Sequence, residues 1–126
     1  MMDIIHRLAL AASAARTLPD LIDAIRAAAS PDETARRLAL VAATTRAIED
    51  DVRAAALAAL AMDGGDIECA GAWLALMTLL RRVDALRHRI ADVVDLSRID
   101  DEAARDTLRG AREMARELAL GAGMEV

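Results

Sequence analysis

Five residue types are missing from this chain altogether: lysine, asparagine, glutamine, phenylalanine and tyrosine. Without lysine there is no side-chain amine for Schiff-base chemistry, and all 16 basic residues are arginine. The single cysteine, Cys69, excludes an internal disulfide framework, and its place near the start of an apolar face predicts a buried thiol. Both histidines, His6 and His88, fall roughly opposite the apolar stripes of their segments, which argues against an axial haem ligand. No inward pair of carboxylates at helical spacing accompanies them, so no metal site is expected. Charges interrupt every apolar stretch, and no run approaches the roughly 20 residues that span a bilayer. Asp3 stands where a secretory leader would carry basic residues. The expectation is a soluble, cytoplasmic protein with no membrane partner. A net charge of -5, with arginines interleaved among acids, makes a nucleic-acid partner equally unexpected.

What is present is a helical pattern repeated four times. Apolar residues recur at alternating spacings of three and four through Ile4, Leu8, Ala11, Ala15, Leu18, Ile22 and Ile25, and again through Leu38, Val41, Thr45, Ile48, Val52, Ala55 and Ala59. A third seam runs Ala72, Leu76, Leu79, Val83, Leu86, Ile90 and Val93, and a fourth Ala104, Leu108, Ala111, Ala115, Leu118 and Ala122. Breaks between them are written in capping residues. Ser30-Pro31-Asp32-Glu33 supplies an N-cap hydroxyl, proline at the first helical position and a glutamate three residues after the cap. Met62 to Asp66 ends a helix with two glycines and restarts the chain at an aspartate, and Asp95 to Asp100 forms the third break. Short loops between long helices predict one domain over 1–126, an all-α, antiparallel up-down-up-down four-helix bundle. Pro19 is the exception within it. It predicts a first helix kinked or broken nearby, either by freeing the carbonyl of Ala15 or by opening a second short helix after a break at Thr17 and Leu18.

The seams carry alanine where a core is normally bulkiest. Pairing the helices from their loops puts Ala11 and Ala15 near Ile48 and Val52, Leu76 and Leu80, and Ala115 and Leu118, with Ala111 and Thr45 one layer on. Since replacing Leu by Ala in a packed core costs about 2 to 5 kcal/mol, either the helices close in around these alanines or a ligand fills the space. Glu49 flanks the second seam one step from Thr45, where its carboxylate can turn inward or pair with Arg53 four residues on. The Thr45 hydroxyl either faces the interior or bonds back to the carbonyl of Val41. Arg112 has no acid three or four residues away, so it reaches solvent, another helix or a ligand. Arg87 has Asp84 three residues before it. Trp73, the only aromatic residue, either fills a gap left by alanines or provides a stacking wall for a flat ligand.

Taken together, the break pattern, the length and the small residues around a mid-bundle space resemble de novo designed four-helix bundles built to bind drug-like small molecules, the apixaban-binding designs among them. That resemblance implies a monomer holding a heteroaromatic ligand without a cofactor. It also implies polar ligand-facing residues midway along the second helix and on the fourth, the positions of Glu49 and Arg112. Two other readings remain open from the residues. Glu49 in an apolar cavity is placed as a general base for proton abstraction, and alanine seams equally suit a natural helical interaction protein from a GC-rich bacterium or phage. GC-rich coding depletes Lys, Asn, Phe and Tyr but does not account for the missing Gln, whereas selection for helix formation accounts for the set more fully.

Overall fold

The computed structural model describes the backbone of residues 2–61 and 67–125, and the side chains of residues 6–59, 61 and 74–121. Four helices fill it: α1 (Met2–Arg26), α2 (Pro31–Ala61), α3 (Ile67–Leu96) and α4 (Asp101–Glu125). Each packs on two neighbours: α1 on α2 and α4, and α3 on the same two, with no diagonal contact among the described residues. The cross-section is therefore a square ring around one core, the four-helix bundle expected from the spacing of the seams. Its antiparallel sense is fixed by cross-helix ties. Arg7 near the start of α1 pairs with Asp51 late in α2 at 3.1 Å, while Arg37 early in α2 donates to the Ala24 carbonyl near the end of α1.

The seam residues whose side chains are described lie where their period places them. Ala11, Ala15, Leu18, Ile22 and Ile25 of α1 are buried, as are all seven seam positions of α2. So are Leu76 to Val93 on the α3 seam and Ala104 to Leu118 on that of α4. Leu8 is half-buried against this core. Ala12, Ala56 and Glu49 join it from the flanks. The predicted glycine break at Met62 to Asp66 lies outside the described residues, and the side chains of Cys69, Ala72, Trp73 and Ala122 do too.

The capping sequences act as their chemistry requires. Ser30 Oγ accepts the Glu33 amide at 3.2 Å, and the Glu33 carboxylate reaches back to accept the Ala29 amide at 3.0 Å. Asp100 accepts the amides of Glu102 and Ala103 at 3.1 and 3.2 Å, capping α4. Arg37 ties the α2 cap to the end of α1, because the guanidinium that donates to the Ala24 carbonyl also bonds Glu33. Removing the cap with Ser30→Ala is expected to cost about 1 kcal/mol, read as a lower urea midpoint at unchanged slope.

Pro19 does not divide the first helix. α1 is helical without interruption from Met2 to Arg26 with Pro19 inside it, so the expected break at Thr17 and Leu18 is absent. The reason is burial on both sides: Ala11 and Ala15 before the proline and Leu18, Ile22 and Ile25 after it occupy one core in one helical phase. A break would move one half of that stripe out of register. Proline still has no amide to give the Ala15 carbonyl. One residue earlier, the Thr17 hydroxyl donates to the Ala14 carbonyl at 2.7 Å.

The four walls of the ring are tied unequally. Arg7–Asp51 joins α1 to α2, Arg87–Glu49 joins α2 to α3 at 3.3 Å, and Arg112–Asp23 joins α4 to α1 at 2.6 Å. Among the described residues, no ion pair joins α3 to α4. That wall instead has glycines on α4: the Arg82 guanidinium lies 2.9 Å from where a Cβ on Gly121 would stand, and that of Arg89 lies 3.9 Å from the same point at Gly110.

Candidate ligand-binding site

Glu49 is the most unusual side chain in the interior, only 4% exposed beside an apolar core. A carboxylate so placed needs compensating charge, because removing an ion from water costs several kcal/mol. Two arginines provide it. Arg53, one turn on, donates to Oε1 at 2.7 Å, and Arg87 on α3 brings Nη1 to 3.3 Å from Oε2. Arg87 simultaneously donates to Asp84 at 3.0 Å, and Asp84 in turn approaches His88 Nδ1 at 3.6 Å. Both partners suggested by sequence spacing, Arg53 for Glu49 and Asp84 for Arg87, are thus present. The α2–α3 pairing of Glu49 with Arg87 was not legible, because it depends on how two helices turn toward each other.

The compensation is electrostatic but incomplete in hydrogen bonds. Among the described residues, Glu49 Oε2 is the buried side-chain polar atom that has no hydrogen-bond partner. Leaving a buried acceptor unmatched typically costs about 1 to 3 kcal/mol. Neighbouring Thr45, fully buried, does not help, since its hydroxyl donates to the Ala42 carbonyl at 2.8 Å. The sequence pointed to the carbonyl of Val41 for this back-bond, and the hydroxyl takes the tighter three-residue partner instead.

Arg112 is committed elsewhere. Its Nε donates to Asp23 on α1 at 2.6 Å, and Nη1 lies 3.6 Å from Glu113, the acid next to it in sequence. The hydrogen bond to Asp23, then that residue's charge, raise the already high Arg112 pKa and keep the guanidinium protonated. Glu49 therefore belongs to the α2–α3 wall and Arg112 to the α1–α4 wall, on helices that stand diagonally across the ring. The structure does not bring these two polar groups together. Asp23 was missed because locating α1 against α4 from sequence means counting across three loops.

Ala11, Ala15, Ala111 and Ala115 are all buried in the continuous core, with Leu76 among them and Leu80 half-buried at its margin. Trp73 carries no described side chain, so its place relative to them falls outside the described residues. Two open concavities lie at another level, between the α1–α2 and α3–α4 loops. One of about 430 Å³ has Ile25, Leu38, Val93 and Leu108 on its walls, and an adjoining one of about 560 Å³ extends past Ser30, Ala35 and Ala42. None of the mid-bundle alanines, Glu49, Thr45 or Arg112 lines either. The sequence signal for this cleft was the small residues Ala28, Ala29 and Ala104 where the ends of a bundle need plugs.

Among the described residues, no group of three His, Cys, Asp or Glu side chains is placed to hold a metal ion, and no helix is long and apolar enough to cross a membrane. Glu49 Oε1 accepts a hydrogen bond from Arg53, whereas Oε2 has a cation 3.3 Å away in Arg87 but no hydrogen bond. In comparison with known proteins, the chain matches no family model, no curated protein and no solved structure.

Proposed function

We propose that this chain is a small-molecule-binding four-helix bundle of the designed type, monomeric, which holds a flat and mostly apolar heterocycle between its helices beside Glu49. The observation that carries this reading is the unmatched Oε2 of Glu49. A heterocyclic N–H donated to that oxygen recovers a charge-assisted hydrogen bond that the bundle lacks when empty. Ala11, Ala15, Ala111 and Ala115, buried in the same core, carry little side-chain bulk, and small-molecule pockets are mostly apolar with a few placed polar groups.

The test is calorimetric titration with a panel of flat heteroaromatic compounds, each paired with its N-methylated analogue, accompanied by thermal melting. A binder is expected to lose about tenfold or more in affinity on N-methylation and a similar factor in Glu49→Gln, as loss of a charged hydrogen bond of about 1.5 to 3 kcal/mol implies. Ala115→Leu is expected to abolish binding by filling the space. Equal affinity in Glu49→Gln and Ala115→Leu would dispose of a site in the middle of the bundle.

A further inference from the structure

The geometry points to a second, separate site: the cleft between the α1–α2 and α3–α4 loops binds an amphipathic organic anion, a carboxylate on an apolar body. The cleft has a volume of about 430 Å³ on the side lined by Ile25 and Leu108, inside the range of small-molecule pockets. Behind it stand the buried Ile25, Leu38, Val93 and Leu108 at the last layer of the core, and the adjoining part adds an apolar wall of Ala35, Ala39, Ala42 and Val94. Its lining also carries Arg26, Arg98, Arg105 and Arg109.

The charge of this lining runs against that of the chain. Four guanidiniums meet one lining acid, Asp101, in a protein whose net charge is -5. Arg105 pairs with Asp101 at 3.3 Å and Arg109 lies 3.8 Å from Asp106, both as exposed pairs that exchange readily for another anion. Arg26 and Arg98 have no ion pair among the described residues. The helix ends do not supply this charge. Ser30 and Asp100 already occupy the first amides of α2 and α4, and Asp32, Glu33, Asp101 and Glu102 offset their dipoles. Positive charge at the mouth and aliphatic carbon beneath select a ligand with the same division. A bare inorganic anion leaves the apolar wall wet, and a neutral alcohol leaves the arginines unused.

Octanoate is the probe, with 1-octanol and inorganic phosphate as the two half-ligands, followed by calorimetry and by chemical-shift perturbation of the full chain. Octanoate is expected to saturate at one per chain and to weaken with added salt, binding at least fivefold tighter than octanol, while phosphate shows no saturable binding. The double variant Arg26→Gln/Arg105→Gln should lose about fivefold or more in octanoate affinity and leave octanol binding and the urea midpoint unchanged. Octanoate binding no tighter than octanol, or equally tight in the double variant, overturns the assignment. So do shifts confined to residues near Glu49, which would place the anion in the other site. Failure of the heterocycle panel leaves this result standing, because the two sites share no lining residue among those described.

Discussion

Replacing Pro19 with alanine is expected to stabilise the bundle by about 2 kcal/mol. Proline inside a helix costs about 3 kcal/mol relative to alanine, through a missing amide and a ring pressed against the preceding turn. Restriction of the unfolded chain returns roughly 0.4 to 1 kcal/mol of that. Since α1 is already helical without interruption through the position, alanine can take it up within the same helix. In a chain of this size the melting temperature should rise by about 5 to 10 °C, and the urea midpoint should rise at constant slope. The substitution also gives the Ala15 carbonyl a donor. If that carbonyl serves a ligand in the core, stability rises while affinity falls, and the opposing signs separate this role from a general stiffening. A melting temperature unchanged or lower in Pro19→Ala would mean that α1 has found another partner for that carbonyl and packs its half-buried ring to advantage.

Leu86→Ala should show the largest loss, about 2 to 5 kcal/mol, because the side chain is fully buried on the α3 seam and its removal leaves a void. The more informative measurement is the rescue. Leu86 and Ala111 stand the same number of residues from the α3–α4 loop, whose flanks are Leu96 and Asp101, and both are fully buried. The exchange Leu86→Ala/Ala111→Leu conserves volume within one layer and should recover most of the lost stability. Urea titrations of the two single variants and the double give the coupling directly. Losses that simply add would show that the two positions occupy different layers, and the α3–α4 register would have to be redrawn.

Much of this architecture was legible because the signals are local. A seam such as Val41, Thr45, Ile48, Val52 declares its buried face through a period that no tertiary contact has to supply, and Ser30 with Glu33 declares a helix start within four residues. Pro19 shows where locality fails. Its own preference is for a helix boundary, and the burial of Ala15 and Ile22 on one stripe overrides it. The polar site was half legible for the same reason. Glu49 was found as an inward carboxylate with Arg53 in reach, since both lie on α2. Its second cation, Arg87, and the capture of Arg112 by Asp23 depend on the rotation of one helix against another, which a heptad pattern leaves free. The loop-end cleft escaped because a cavity is defined by what several segments fail to fill.

The unequal walls of the ring give the bundle a preferred way to come apart. Among the described residues, three walls are laced by guanidinium–carboxylate pairs, whereas α3 and α4 meet through apolar packing, their loop, and arginine heads resting over glycines. Electrolyte acts on the laced walls by screening the pairs. In dilute neutral buffer the α3–α4 wall is the weakest edge, and hydrogen exchange should open there first. In strong salt the ranking evens out, so the bundle changes from a box with one hinged side to one whose sides all yield alike.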